Sequence, residues 1–215
     1  MNELYLASGS PRRLQILEEA GYVVDVRPQS VNEAPLPGEH PLAVVSRLAK
    51  LKAASLMNGL EGGQAGDLIV AADTVVWLNR HILEKPANDM EAHYMLSELS
   101  GKSHYVSTGV AVAYKAADDQ GFQMNSFVQT TKVTFYPLSE AEIQAYIATG
   151  EGRDKAGAYG IQGLARLFVK SIEGDYFNVV GLPIAEVVRE IQKLTDPEAE
   201  DVEVVKILLG AVNED

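Results

Sequence analysis

The order of apolar and polar positions predicts five helices, over residues 11–20, 42–58, 91–99, 139–147 and 183–194. Ser10 followed by Pro11 is typical of an N-cap and a first helical position, where the missing N–H of proline costs nothing. Ser139 with Glu142 three residues later matches the reciprocal capping box. These residues define where two of the helices begin.

Strand-like segments lie between the helices, at residues 4–7, 22–28, 68–78, 105–114 and 126–138. Residues 68–78 are almost wholly apolar, with one aspartate that we place near the end of a buried strand. Residues 167–183 are predicted as a further β-hairpin with its turn near Gly174. Because strands and helices alternate without one regular order, the predicted fold class is α/β with a mixed sheet.

Composition excludes several classes of protein and of chemistry. No segment approaches the roughly 18 consecutive apolar residues that a membrane helix needs. The first apolar run, LYLA, is too short for a signal peptide, and Glu3 stands where a basic residue would be expected. The chain has no cysteine, which removes disulfides, thiolate metal sites and cysteine nucleophiles. We therefore expect a cytoplasmic protein with no membrane partner.

The chain is strongly acidic, with a formal net charge of −12. Such a charge argues against broad binding to nucleic acid, which requires a basic face to replace the counterions of the phosphates. Half of the excess, −6, comes from eight acidic residues and two lysines between residues 190 and 215. An acidic protein still binds an anion where its basic residues converge, so the search narrows to local clusters.

The block SGSPRR at residues 8–13 is such a cluster. A short strand runs into a serine-glycine turn and then into a helix start, where free backbone N–H groups and the positive end of the helix dipole meet. Arg12 and Arg13 add two positive charges in a first helical turn, where the dipole disfavours them. The block predicts a phosphate site; the alternative is a simple helix cap with two solvated arginines.

Three better-known nucleotide motifs are excluded. Residues 100–104 end like a P-loop, but Leu96 stands where the first glycine belongs and a helix precedes the segment. The glycines of residues 157–163 recur every three positions, unlike the dinucleotide fingerprint. Residues 16–22 imitate the end of a Nudix box without the arginine-glutamate pair that should precede it.

Asp73 interrupts the apolar strand and is costly to bury without a partner. A carboxylate in this position often holds a divalent cation or activates water, and Glu33 in a proline-rich loop could supply a second metal ligand. The alternative, a turn or a helix cap, is disfavoured because the next residues, TVVWL, continue as a strand.

Lysines and histidines indicate less on their own. Lys85 precedes a proline and is held extended, and Lys52 lies on a predicted helix, but each taken alone is typical of the protein surface. The histidines at positions 40, 81, 93 and 104 do not have the spacing of zinc ligands, and we predict no zinc site.

A series of motifs carries a resemblance to a known family. LASGSPRRLQIL, RLAKLKA, AADTVV, EKP, LSGKSHYVSTGVAV and DKAGAYGIQGLA occur in this order. Each motif is modest alone, but the series closely resembles the Maf family of nucleotide pyrophosphatases, with matches from Leu4 to Ile191. The resemblance implies a single catalytic domain with two lobes over residues 1–195. The acidic extension over residues 196–215 lies outside the resemblance and has no assigned function.

The resemblance implies hydrolysis of a nucleoside triphosphate to the monophosphate and pyrophosphate, assisted by a divalent metal, Mg²⁺ or Mn²⁺. It also implies an elongated α/β fold with a cleft between two lobes, similar to that of the inosine triphosphate pyrophosphatases. The DKAGAYGIQG form resembles the branch that acts on dTTP and UTP, with modified pyrimidine nucleotides as further substrates in house-cleaning of the nucleotide pool. A homodimer is also what the family suggests.

The resemblance assigns positions in the cleft to ten residues. Asp73 would accept the proton of the attacking water. The positions associated with the choice of base are matched by Arg13, Thr74 and Gln162. The remaining positions are matched by Ser8, Arg12, Glu33, Lys52, Lys85 and Lys155.

The chemistry of these side chains agrees with such a reaction. Cleavage of a phosphoanhydride needs neutralised phosphates and an oriented water. The phosphates could be neutralised by Arg12, Lys52 and Lys85. Asp73, with a metal held partly by Glu33, could orient the water.

Two residues could contact the base. The side-chain amide of Gln162 offers a donor and an acceptor, which suits the O4 and N3–H edge of uracil or thymine. Tyr159 could stack on the base, or it could be a buried structural tyrosine.

The sequence departs from the family pattern after Lys85, where Asn88 stands in place of an expected aspartate and Asp89 follows it. Either the register of the loop shifts or that acidic role is missing. Because Maf proteins are also associated with septum inhibition, a nucleotide-binding regulator of cell division is the alternative function. Both hypotheses require Arg12, Lys52, Asp73 and Lys85 to converge on one cleft.

Overall fold

A computed structural model of the protein describes residues 4–60, 63–117, 121–198 and 204–208. Its strands are β1 (Leu4–Leu6), β2 (Val24–Val26), β3 (Leu68–Leu78), β4 (His81–Leu83), β5 (Ser103–Lys115), β6 (Phe122–Phe135) and β7 (Val169–Glu173). Its α-helices are α1 (Pro11–Glu19), α2 (Pro41–Gly59), α3 (Asp89–Leu99), α4 (Glu140–Thr149), α5 (Tyr176–Val180) and α6 (Ile184–Thr195).

Residues 204–208 of the acidic extension are also helical. The other residues that follow position 198 lie outside the described ranges. None of the helices within those ranges has the length and apolarity of a membrane span.

The strands form one mixed sheet in the order β2-β1-β3-β5-β6-β7, with β4 also paired to β3. β1 is parallel to both β2 and β3, whereas the other pairs are antiparallel. Helices α1 and α6 pack on one face of the sheet and α2 packs on the other. The predicted α/β class with a mixed sheet is confirmed.

The edge of β3 that faces β1 has a gap in its strand pairing, at residues 71–75. β1 ends its pairing with β3 at Val70, and β4 begins its pairing at Val76. Among the described strands, none pairs with residues 71–75 on that edge.

The expectation that Asp73 lies near the end of the strand is wrong, because pairing with β4 and β5 extends β3 to Leu78.

Strand alternation sends successive side chains of β3 to opposite faces of the sheet. On the α2 face, Ala49 and Ala53 of the helix pack against Ala71 of β3. Asp73 is two residues beyond Ala71 and shares that face, whereas Thr74 shares the face covered by α1 and α6. At this unpaired part of its edge, β3 therefore presents the carboxylate of Asp73 on one face of the sheet and the hydroxyl of Thr74 on the other.

The close approach of α2 to the sheet depends on one glycine. Gly109 of β5 lies opposite Asp73 in the register of the sheet. A Cβ at this position would lie 2.3 Å from the carbonyl oxygen of Val45 on α2, so no larger residue fits without moving the helix. This approach allows Lys52, two turns further along α2, to reach Asp73.

The hairpin predicted over residues 167–183 is wrong in its second half. β7 is present, but residues Tyr176–Val180 form α5. The side chain of Asp175 accepts a hydrogen bond from a backbone N–H two residues later and so starts the helix. Asn178 is buried and donates to a carbonyl oxygen of β5 and a hydroxyl of β6. These tertiary contacts outweigh the strand propensity of the aromatic and β-branched residues.

Strand β4 is an element that the pattern of the sequence does not predict. It turns back on β3 through Asn79 and Arg80, whose φ angles are 50° and 68°. Positive φ at both central residues is what a two-residue hairpin requires. Arg80 stands where glycine usually marks such a turn, so the sequence signal is weak.

The helix starts show three different caps. Ser139 and Glu142 form the predicted capping box of α4. Ser10 occupies the N-cap position of α1, but its side chain makes no capping hydrogen bond. Asn88 caps α3 by accepting a hydrogen bond from the backbone N–H of Glu91. The asparagine that departs from the family pattern therefore has a structural role.

His104 is fully buried, with its ring edge-on to the rings of Phe135 and Tyr159. Its Nε2 lies 2.7 Å from the hydroxyl of Tyr159, whereas its Nδ1 has no hydrogen-bond partner in the part of the chain that is described. Burial lowers the pKa of His104 to about 4. The folded protein therefore holds a neutral imidazole behind Tyr159.

We expect acid to destabilise the fold through His104. The imidazole binds its proton near pH 6.5 in the unfolded chain but only near pH 4 in the folded protein. Stability is therefore lost as the pH falls from about 6.5 to about 4, by about 3 kcal/mol in total. His104→Gln removes this titration and keeps a hydrogen-bond partner for Tyr159. The variant should have a lower free energy of unfolding than the wild type at pH 7, and this difference should be smaller at pH 4.5. Urea denaturation at both pH values measures this, and a constant deficit would contradict it.

Candidate active site

A cleft of about 970 Å³ opens at the gap in the edge of β3. Its wall is formed by the β1–α1 loop, the loop around Glu33, one side of α2, the segment after β4 and the glycine-rich loop after α4. The volume lies in the range of small-molecule pockets. All ten residues assigned from the sequence line it, namely Ser8, Arg12, Arg13, Glu33, Lys52, Asp73, Thr74, Lys85, Lys155 and Gln162.

Arg13 connects three parts of the wall. Its buried guanidinium donates hydrogen bonds to four protein oxygens at 2.8 to 2.9 Å. The acceptors are the hydroxyls of Ser8 and Thr74 and the carbonyl oxygens of Ala72 and Gly181. Burial lowers the pKa of Arg13, and the carboxylate of Asp73 acts in the opposite direction. Since four of its five N–H donors are occupied, Arg13 holds the wall together and has little left to offer a base.

Thr74 belongs to the same buried network. Its hydroxyl lies 2.9 Å from that of Thr108 on β5, which donates to the carbonyl oxygen of Asn178. Thr108 and Asn178 are fully buried. Sequence reasoning missed both residues because their contacts join segments 70 positions apart.

Lys52 lies between two carboxylates. Its ammonium is 2.7 Å from both Glu33 Oε1 and Asp73 Oδ1. Only 8% of the residue is exposed, so the expectation from its sequence position alone, that it lies on the surface, is wrong. The two carboxylates and the cation compensate one another for the loss of hydration.

Glu33 and Asp73, the two expected metal ligands, lie close to each other in the cleft. Both carboxylates contact one nitrogen, so their nearest oxygens are no more than twice 2.7 Å apart. Carboxylate oxygens are the type of ligand that Mg²⁺ and Mn²⁺ prefer, with phosphate oxygens or water as the others. Within the described ranges, no group of three or more acidic or histidine side chains forms a complete metal site. A metal here would therefore need oxygens from a substrate or water and would share the carboxylates with Lys52.

Arg12 and Lys85 are the available cations of the cleft. Arg12 is half-buried and Lys85 is exposed, and neither has a hydrogen-bond or ion-pair partner among the residues described. Arg13, Lys52 and Lys155, in contrast, donate to protein oxygens. Two positive charges from different segments are thus left for an anion.

The glycine-rich loop after α4 supplies the other side of the cleft. Lys155 donates to the carbonyl oxygen of Glu151 at 2.7 Å and to a carboxylate oxygen of Asp154 at 2.6 Å. Gln162 is exposed within the cleft wall. Tyr159 is buried and its ring packs in the core, as the structural alternative for this tyrosine expects, and it also belongs to the lining of the cleft.

The acidic position expected after Lys85 does not reach the cleft. Asp89 pairs with Arg153 at 3.3 Å, and neither it nor Asn88 belongs to the lining. Next to Lys85, the acidic residue that lines the cleft is Glu84.

The chain matches the family described as Maf-like protein over residues 3–194. A dTTP/UTP pyrophosphatase of Halalkalibacterium halodurans is 46% identical over 192 residues, which cover 89% of this chain and 96% of that protein. A dTTP/UTP pyrophosphatase of Neisseria gonorrhoeae is 42% identical over 197 residues, which cover 90% of this chain and 95% of that protein. Among solved structures, the Staphylococcus aureus Ham1 protein matches 62% of this chain and 71% of its own, at 14% identity and a TM-score of 0.40. The protein therefore belongs to the Maf family.

Proposed function

We propose that this protein hydrolyses dTTP and UTP to the monophosphate and pyrophosphate, in line with the name dTTP/UTP pyrophosphatase of the two relatives described above. One observation carries the proposal. Arg12 and Lys85, which pair with no described residue, line the same cleft as the carboxylate of Asp73 and the exposed amide of Gln162. The cleft thus offers groups that suit phosphates, a water and the edge of a base.

Arg12 and Lys85 bind the phosphates in this proposal. Neither has a hydrogen-bond or ion-pair partner among the described residues, so an anionic substrate does not need to break such a pair to contact them. A guanidinium suits two phosphate oxygens at once, and an ammonium acts as a point charge. Lys155, which is held by the loop, completes the cationic lining.

Asp73 is proposed to accept the proton of the attacking water. Its side chain is 14% exposed, and Oδ1 is fixed by Lys52. The other carboxylate oxygen has no hydrogen bond to a described residue. A carboxylate held by one oxygen leaves the other to orient a water, which is the positioning that this reaction needs.

Glu33 and Asp73 would hold the divalent metal together with substrate oxygens. When bound, the metal supplies neutralisation of phosphate charge in the transition state. Lys52 then keeps the two carboxylates close to each other, because it contacts both.

Gln162 is proposed to read the base. Its amide nitrogen can donate to O4 of uracil or thymine while its carbonyl oxygen accepts from N3–H. Arg13 and Thr74 form a fixed part of the same cleft wall, since their polar atoms already bond to one another. Modified pyrimidines that keep the O4 and N3–H edge are proposed as further substrates.

We further propose that residues 1–195 form the catalytic domain, with two lobes around the cleft. Two hydrophobic clusters lie on either side of the gap in β3, one around α3 and α4 and the other around α1 and α6. The acidic extension over residues 196–215 lies outside this domain, and a homodimer remains a prediction.

A nucleotide panel tests the substrate. The protein is incubated with the common ribo- and deoxyribonucleoside triphosphates and Mg²⁺ or Mn²⁺, and released pyrophosphate is measured. We expect the fastest release from dTTP and UTP, and loss of activity when EDTA removes the metal. Equal rates for all bases would contradict the assigned selectivity, and tight nucleotide binding without turnover would favour the regulator of cell division.

A further inference from the structure

Glu151 is an acidic residue of the cleft wall to which the proposed reaction assigns no role. It lies two residues after α4, and its carboxylate accepts hydrogen bonds from three donors. The backbone N–H of Leu164 donates to Oε2 at 2.7 Å. The hydroxyl of Tyr146 and, more weakly, the N–H of Ala165 donate to Oε1 at 3.0 and 3.5 Å. Hydrogen bonds to a carboxylate are stronger than neutral ones, so this residue fixes the loop firmly.

The chain wraps tightly around this carboxylate at Gly163. A Cβ on Gly163 would lie 2.2 Å from Glu151 Oε1, so only glycine fits there while the carboxylate keeps its place. The carbonyl oxygen of Glu151 also accepts from Lys155 Nζ at 2.7 Å. Gln162, the residue before Gly163, is exposed and has no hydrogen-bond partner among the described residues. Its position is therefore set by the backbone that Glu151 holds.

We propose that Glu151 is a positioning residue for base recognition, which holds residues 163–165 so that the amide of Gln162 can distinguish uracil or thymine from cytosine. This inference rests on the proposed function. Uracil presents an acceptor at O4 and a donor at N3, whereas cytosine presents the reverse. A glutamine amide matches either edge if it is free to rotate or shift. Discrimination requires one orientation of the amide, because a mismatched pair leaves polar groups without partners. An anchored backbone at residues 163–165 limits the ways in which the Gln162 side chain can lie against the base.

The experiment compares Glu151→Ala and Glu151→Gln in the full chain. Glu140→Gln, an exposed position in the first turn of α4, is the control. Two quantities are measured for each protein: the ratio of kcat/KM for UTP to that for CTP, and hydrogen exchange of the backbone amides of residues 160–168. The second measurement needs no turnover. It reports directly on whether the loop is held.

We expect Glu151→Ala to accelerate exchange in the loop and to lower the UTP/CTP ratio by about tenfold or more, mainly through a higher KM for UTP. Glu151→Gln should keep most of the ratio, because its amide oxygen still accepts from the N–H of Leu164. Glu140→Gln should match the wild type. In a Gln162→Ala background, Glu151→Ala should lower the ratio no further, since the residue it positions is gone.

Two results would overturn the inference. Unchanged exchange in Glu151→Ala would mean that the carboxylate does not hold the loop. Faster exchange with an unchanged ratio, or an equal loss of kcat for both nucleotides, would mean a structural role alone. If the wild type itself does not distinguish UTP from CTP, the proposed function fails together with the role of Glu151 in recognition, whereas the exchange data still show whether the loop is anchored.

Discussion

Asp73→Asn should lower kcat about a thousandfold while leaving the fold intact. Asparagine has nearly the same shape and keeps an oxygen near the ammonium of Lys52, which is 2.7 Å from Asp73 Oδ1 in the wild type. It lacks the negative charge needed to accept a proton from water. Rates of pyrophosphate release from UTP at saturating nucleotide and metal measure the change, and thermal unfolding checks that the fold is retained.

Asp154→Asn is the matched control for this change. Asp154 also lines the cleft and also contacts a lysine, at 2.6 Å, but its side chain is 74% exposed. We expect this variant to lose less than about tenfold in kcat, because the ion pair is on the surface and contributes little. If Asp73→Asn turned over UTP at a rate near that of the wild type, the base would have to lie elsewhere.

Arg13→Met should lower the free energy of unfolding by at least about 3 kcal/mol. The substitution removes four hydrogen bonds and leaves the carbonyl oxygens of Ala72 and Gly181 without their donor. Because these acceptors belong to β3 and to the segment after α5, their loss loosens two parts of the cleft wall together. Urea denaturation followed by the fluorescence of Trp77, the single tryptophan, measures the change.

Arg12→Met separates stability from binding. Arg12 is the next residue in the same helix turn, but no described residue pairs with it. We expect its removal to change stability by less than about 0.5 kcal/mol while raising the KM for UTP, because a counter-charge for the phosphates is lost. Equal stability of the two variants would contradict the structural role assigned to Arg13.

The parts of the fold that follow local patterns could be predicted from the sequence. The runs of apolar and β-branched residues in β5 and β6 and the capping box of α4 depend only on neighbouring residues, and these elements are present. α5 could not be predicted, since its five residues favour a strand locally and only the buried contacts of Asn178 select the helix. Asp73 was identified, but its place within β3 depends on how far β4 extends the pairing.

The sequence predicted which residues line the cleft more completely than it predicted what each of them does there. Motif order gave ten lining residues, but two adjacent arginines look alike in sequence. Only the packing of α1 shows that Arg13 points into the wall, whereas Arg12 has no partner among the described residues. Lys52 is buried because it pairs with two carboxylates, Glu33 and Asp73, that are distant from it in the sequence. Glu151 accepts a hydrogen bond from the far end of a glycine-rich loop, whose sequence has no periodicity. Such long-range pairings leave no local signal.

The products formed from UTP test the central claim most directly. ³¹P NMR of a reaction with wild-type protein, UTP and Mg²⁺ distinguishes the two phosphoanhydride bonds that can be cut. We predict UMP and pyrophosphate in equal amounts, with no orthophosphate. UDP with orthophosphate would contradict the account, because the bond between the β- and γ-phosphates would then be the one cleaved.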